Sequence, residues 1–362
     1  MPQDSENVRE HIEQARRGCA RWLNGHGPRL PAELMQTIPA DVEADRYGAG
    51  GVVAALEAEV AELLGKESAL FLPTGTMAQQ ATLRVHADRR ARPTVVWHPA
   101  CHLDTREGRG YQRLHNLVGV AAGDMRAPLT VSDLEAVAEP PAALLLELPQ
   151  RDLGGTLPEW DELEAMVGWA RRKGAAVHLD GARLWEATPW YERPVADIAG
   201  LFDTVYVSFY KGLGGIAGCC VAGPADVIAE VSEWRTRHGG RAFALWPYAA
   251  SALTVLRQRR ERMHEYWTHA RAIAAALTGI DGVRVLPDPP QSPMMHVQLA
   301  VTAGQLRERA IKIAEADGIW TFAEAFASDD PGLQRIELSV GDATLGFGPS
   351  EAAGLVSRLA GH

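Results

Sequence analysis

The chain has 362 residues, 46% of them apolar, a length that suits one large domain or two unequal ones. A net charge of −10 argues against a nucleic-acid partner, because phosphate binding needs a basic footprint. No apolar run approaches a membrane span, the polar start resembles no signal peptide, and Cys19, Cys101, Cys219 and Cys220 form no CxxC pair, so the expectation is a cytoplasmic protein without a disulfide framework or metal cluster.

Residues 1–50 read as an N-terminal arm that opens with a polar helix over Glu6–Trp22. Apolar residues then recur at helical spacing over Val52–Leu64, and Gly65 closes the run. Strand Ala69–Pro73 leads through a Gly-Thr turn into a helix from Met77 to Arg89. Strands follow at Thr94–His98 and Ala143–Leu148, then helix Glu159–Lys173 and strands Ala175–Leu179, Thr204–Phe209 and Gly218–Ala222. Almost wholly apolar strands alternating with helices predict a mostly parallel sheet covered on both faces, occupying 51–246. One long helical stretch, Pro247–Leu277, opens a small C-terminal α+β domain at 247–362, with strands Val283–Leu286, Met294–Ala300 and Leu333–Val340 and helix Ala303–Asp317.

Ligands of open α/β sheets gather at the carboxyl ends of strands, so the polar residues there are the candidates. Gly75 and Thr76 open a helix, where free N–H groups and the helix dipole suit a phosphate; an ordinary N-cap would leave the same sequence. Asp180 ends a buried strand and needs a partner, either Arg183 or a cationic ligand nitrogen. The lysines are Lys66, Lys173, Lys211 and Lys312, and Lys211 alone follows a buried strand and enters a glycine-rich loop. A lysine so placed can be desolvated and lose its proton, as a Schiff-base amine must. The loop's Gly212-x-Gly214-x-x-Ala217 is a weak dinucleotide match, rejected because a strand-like run follows where a helix is required. His98 and His102 are open to acid–base, stacking or structural roles, and no third residue at fixed spacing makes them a metal site.

Together, Asp45-Arg-Tyr-Gly48, Leu63 to Ala78, His178-Leu-Asp-Gly-Ala-Arg183 and Lys211-Gly-Leu-Gly214 resemble the threonine aldolase/β-eliminating lyase family, pyridoxal 5′-phosphate (PLP) enzymes with the aspartate-aminotransferase-type fold (fold type I). The resemblance implies PLP carried on Lys211, its phosphate on Gly75 and Thr76, its pyridine nitrogen on Asp180 and its ring under His102, with Ser208 close by. It implies Arg183 and Arg335 as a pair gripping the substrate carboxylate, His102 as the acid–base candidate, and assembly as a homodimer or homotetramer. The sequence departs from the family pattern in four places. The family's early Ser-Asp-Thr-Val-Thr-Arg-Pro segment has no clear counterpart, and its Gly-Gly-Gly-Met-Arg segment is matched only loosely by His238-Gly-Gly-Arg241. Tyr210 stands where a serine usually precedes the lysine, and Glu147-Leu-Pro-Gln-Arg-Asp152 stands where family aldolases carry a histidine. The implied activity is cleavage of L-threonine or related L-β-hydroxy-α-amino acids to glycine and an aldehyde. β-Elimination on the same scaffold and a non-catalytic homologue are the alternatives.

Overall fold

The computed structural model describes residues 2–327 and 330–362. The chain divides into a larger unit, Leu30–Asp152 with Leu157–Arg262, and a smaller one made of the residues up to Arg29, Leu153–Thr156 and those from Met263 onward.

The larger unit is built on seven strands: β1 (Ser68–Leu72), β2 (Thr94–Trp97), β3 (Val118–Ala121), β4 (Ala143–Glu147), β5 (Ala176–Gly181), β6 (Thr204–Ser208) and β7 (Cys219–Gly223). Their order across the sheet is β1-β7-β6-β5-β4-β2-β3. Strands β3, β2, β4, β5 and β6 run parallel, while β7 is antiparallel to both β6 and β1. Strands β1, β2, β4, β5 and β6 therefore all end at the same edge. The near-continuous apolar runs are buried, as a sheet covered on both faces requires. One cluster joins Leu70, Leu72, Tyr206 and Val221 to Ala78 and Val85 of the Gly75–Arg90 helix and to Val227 and Val231 of the Ala225–Arg237 helix. A second joins Val95, Trp97, Leu145 and Ala176 to Leu83 and Ala87.

Strand β3 and helix Ala225–Arg237 are among the larger-unit elements absent from the sequence expectation. Strand β3 lies at the sheet edge with its residues partly exposed, and its short apolar stretch is interrupted by Gly119, which sits where a Cβ would meet the Trp97 ring at 2.1 Å. Helix Ala225–Arg237 carries a short apolar face, Val227, Ile228 and Val231.

The expected boundaries at 50/51 and 246/247 also shift. The long helical stretch is two helices, Trp246–Arg259 and Met263–Leu277, parted by a 3₁₀ turn at Arg260–Arg262. The first packs on the Gly51–Leu63 helix in the larger unit. The second buries Tyr266, Trp267 and Ile273 in the smaller. The arm likewise divides at Arg29. Its helix is Pro2–Arg17, and Arg21–Trp22 instead forms a short parallel strand beside Ile319–Trp320. Otherwise the smaller unit is the expected α+β arrangement. Antiparallel strands β8 (Val283–Leu286), β9 (Met294–Leu299), β10 (Glu324–Ala327) and β11 (Gln334–Ser339) take the order β10-β11-β9-β8. Among the described residues no helix is long and apolar enough to cross a membrane.

Asp45 explains one of the quoted motifs. Its buried carboxylate accepts from the backbone N–H of Gly48 (2.7 Å), Leu245 (2.8 Å) and Trp246 (2.7 Å). It thereby caps the Trp246–Arg259 helix, whose first N–H groups have no partner within the helix. Replacing Asp45 with Ala leaves three donors unmet and should cost roughly 3 kcal/mol. A lower denaturant midpoint with an unchanged slope is the expected signature, and an unaltered midpoint refutes it.

Candidate active site

Three ionisable groups meet where β4, β5 and β6 end. Glu147 and Asp180 are register partners on adjacent strands, and Lys211 lies three residues beyond β6. Asp180 is buried and Glu147 partly so, which penalises their charged forms. Burial, then the neighbouring Asp180 carboxylate, pushes Glu147 up to about 8, even though Glu147 Oε1 accepts the Arg151 N–H at 3.0 Å. Asp180 is raised by burial too, but the Ala182 N–H donates to its Oδ1 at 3.1 Å and the charges of His102 and Lys211 favour its ionised form. Both carboxyls are therefore held above their ordinary range, and they titrate as a pair that resists carrying two charges. Burial first, then Arg183, brings the Lys211 amine down to about 8.

The lysine's loop is held by its own backbone and by a neighbouring helix. Gly214 N–H donates to Lys211 O (3.0 Å) and Gly215 N–H to Phe209 O (2.7 Å). From the Trp246–Arg259 helix, Arg259 donates to Leu213 O at 2.6 Å and Ser251 Oγ accepts the Ile216 N–H at 3.2 Å. Gly212 is required by a close approach: a Cβ there would lie 1.9 Å from Glu186 Oε1. Arg183 Nε is 3.8 Å from that same Glu186 oxygen, so Glu186 and not Asp180 is the carboxylate beside Arg183. Ser208 Oγ donates to Ala182 O at 2.9 Å, tying β6 to the turn after Asp180.

At the end of β1, Thr74 is the N-cap of the Gly75–Arg90 helix, its hydroxyl accepting the Met77 N–H at 3.3 Å. Thr76 is exposed on the first turn. A Cβ on Gly75 would sit 2.2 Å from the buried Tyr206 hydroxyl, which is hydrogen-bonded to Tyr210. The helix start is thus open to a ligand and walled by phenols.

The two histidines divide their roles. His98 is buried; its Nε2 faces the carbonyls of Asp124 and Ala127 (both 2.9 Å), so it carries the hydrogen. Its Nδ1 accepts from Ala100 N–H (3.1 Å) and Gln150 Nε2 (2.6 Å). With both nitrogens occupied, His98 fixes the loop after β4. His102 is more open. Its Nδ1 lies 2.9 Å from Glu107 Oε1, and Gln80 Nε2 donates to the other Glu107 oxygen at 2.9 Å. A carboxylate accepts, so the His102 N–H points at Glu107 and Nε2 is left as the working atom.

Lys211, Asp180, Arg183, Ser208, His102, Gly75 and Thr76 all lie in the larger unit, at or just beyond the ends of β1, β2, β5 and β6. Arg335 lies on β11 of the smaller unit, its guanidinium 5.2 Å from the Phe326 ring centroid. The sequence reading missed Glu147, Glu107, Tyr206 and Glu186. Glu147 carried the same signal as Asp180, a carboxylate closing an apolar strand.

These residues fit PLP: a depressed lysine amine, a buried carboxylate, an open helix start with a glycine where a Cβ would collide, and a histidine with one nitrogen anchored.

The beta-eliminating lyase family model matches residues 32–300. The chain is 31% identical over 264 residues to the low specificity L-threonine aldolase of Escherichia coli K12, covering 70% of this chain and 78% of that one. A Listeria monocytogenes EGD-E protein, provisionally assigned as an L-allo-threonine aldolase, superposes with a TM-score of 0.91 at 36% identity, over 98% of this chain and 99% of that one. A Sphingomonas wittichii serine palmitoyltransferase shares the fold alone, at 17% identity and a TM-score of 0.64 over 98% of this chain and 82% of that one.

The raised Glu147 has a measurable consequence. Its carboxyl titrates near 4.5 unperturbed and near about 8 when folded, so between these values the folded state holds the extra proton. The stability this supplies is complete below the lower value and is lost as pH rises through the upper one. Glu147→Gln has no such proton. Its Tm relative to the unsubstituted protein should therefore rise steadily from pH 5 to about 8 in the apoprotein. A pH-independent difference refutes the assignment.

Proposed function

The chain belongs to the beta-eliminating lyase family, and from that premise we propose that it is a PLP-dependent aldolase cleaving L-threonine and related L-β-hydroxy-α-amino acids to glycine and an aldehyde. The observation that carries this reading is the Lys211 amine, lowered to about 8 beside a buried Asp180. Lys211 would hold PLP covalently, Asp180 would face its pyridine nitrogen, His102 its ring, and Gly75 and Thr76 its phosphate, with Ser208 bracing the turn behind Asp180. When bound, PLP supplies an electron sink for the pair released as the substrate Cα–Cβ bond breaks. Arg183 orients the substrate carboxylate, the role assigned also to Arg335. His102 Nε2 takes the β-hydroxyl proton, and the Nδ1–H bond to Glu107 stabilises the resulting imidazolium. Lys211 Nζ, near neutrality in pKa, can return a proton to Cα.

A second reading, β-elimination to a keto acid and ammonia, is favoured by one observation: the stretch Glu147–Asp152, which stands where family aldolases carry a histidine, has none, and its Gln150 is committed to His98. Product analysis separates the two. We place the protein in the cytoplasm as a homodimer or homotetramer. The exposed, edge-to-face rings of Tyr47 and Phe243, 5.3 Å apart, are apolar surface suited to a subunit contact.

Lys211→Ala should abolish both the visible absorbance of bound cofactor and aldehyde release. His102→Gln should retain the absorbance and lose roughly 100-fold in kcat. Turnover that survives Lys211→Ala overturns the assignment, and an unchanged kcat in the His102 variant removes it as the base.

A further inference from the structure

Two phenols stand between the lysine amine and the helix start, and no step of the reaction uses them. Tyr206 is on β6, and Tyr210 is two residues beyond it, immediately before Lys211. Tyr206 is buried, and its hydroxyl lies 2.2 Å from the point that a Cβ on Gly75 would occupy. It is hydrogen-bonded to Tyr210, which is only partly buried. Burial raises both phenols; the bond between them raises Tyr206 further and lowers Tyr210, as it does when Tyr206 donates and Tyr210 accepts. A phenol that accepts one bond has its own hydrogen to donate. The Tyr210 ring also lies beside the lysine, its centroid 5.4 Å from Lys211 Nζ. Tyr210 therefore spans the gap. Its ring neighbours the amine, and its hydroxyl is tied to the group that touches Gly75. In PLP the carbon that joins the lysine and the arm that carries the phosphate are attached to adjacent ring atoms, so a side chain between those two anchors runs along that edge of the cofactor. A phosphate presents three strong acceptor oxygens, and hydroxyl donors add to the N–H groups of a helix start. The nearby Ser208 hydroxyl is committed to Ala182 O at 2.9 Å.

We propose that Tyr210 donates a hydrogen bond to the cofactor's phosphate, and that Tyr206 is the positioning residue that aims it. The serine usual at this place carries its hydroxyl close to the backbone. A phenol carries it a ring's length further out, and the buried Tyr206 hydroxyl fixes where it ends. The inference rests on the reading that places the phosphate at Gly75 and Thr76; it adds a recognition group and no step in the reaction. The charges of Asp180 and Arg183 also reach Tyr210, so the competing role is a contact with the cofactor ring or the substrate.

The test needs no turnover. PLP and pyridoxal share a ring and an aldehyde, and pyridoxal has no phosphate. Titrating each into the full-length apoprotein, with the visible absorbance as the signal, gives two dissociation constants whose ratio isolates the phosphate's contribution. In Tyr210→Phe the preference for PLP should fall roughly 10- to 100-fold, the loss of one hydrogen bond to a charged acceptor, while pyridoxal binds as before. Tyr206→Phe should lower the preference by less. Adding it to Tyr210→Phe should lower it no further, because Tyr206 acts through Tyr210. An unchanged preference in Tyr210→Phe overturns the proposal. So does an equal loss on both ligands, which puts the phenol on the ring or the aldehyde. Losses that simply add in the double variant overturn the positioning role of Tyr206. If the unsubstituted protein binds PLP no tighter than pyridoxal, the phosphate placement at Gly75 and Thr76 fails and the proposal fails with it. A protein that prefers PLP and is indifferent to Tyr210→Phe keeps that placement and loses only the proposal.

Discussion

The site depends on charge held out of water at the edge of a parallel sheet. Lys211, Asp180 and Glu147 sit where strands end, and each is penalised for its charge by burial. The penalties do not fall equally. Glu147 has one backbone donor and the Asp180 carboxylate beside it, with Arg183 in opposition, whereas Asp180 has a backbone donor and the Lys211 charge, opposed by Glu107. The two carboxylates together resist holding two charges out of water. The same burial makes the lysine a usable amine near neutral pH. A solvent-facing arrangement of identical residues would have ordinary titrations and little chemistry.

Around this trio the remaining polar groups act as braces. His98 occupies both ring nitrogens to hold Gln150, Ser208 holds the turn after Asp180, and Glu107 with Gln80 fixes the ring of His102. Such contacts are individually modest, but they fix where a neighbouring group can point. The distinction between bracing and reacting groups is clearest for the two histidines, four residues apart in sequence. One is saturated with partners and the other keeps a nitrogen for use.

Much of this was legible beforehand. Apolar runs marked β1, β2, β4, β5, β6 and β7, and the polar residues following them led to Lys211, Asp180, Arg183 and His102. What escaped did so for physical reasons. Strand β3 is half-exposed at the sheet edge, and its apolar stretch is short and broken by Gly119. The division between units falls inside a continuous helical pattern, because periodicity reports that a face is buried and not which core buries it. His98 and His102 were indistinguishable because hydrogen-bond partners such as Asp124 and Ala127 are about thirty residues distant in the chain. Glu186 was hidden for the same reason: Arg183 is its neighbour three residues away in the chain, but only the fold brings it against Gly212.

The reversal of β7 has a mechanical consequence. Because β7 runs back along β6, the segment bearing Lys211 is a hairpin connection, not the start of a crossover helix. A crossover would let the lysine's anchor ride on a helix that can slide or tilt. The hairpin is closed by its own backbone bonds and clasped by Arg259 and Ser251, so its shape owes little to the side chain at position 210. That position can exchange a small hydroxyl for a large phenol, altering the wall beside Gly75 while leaving the lysine's attachment point where it is.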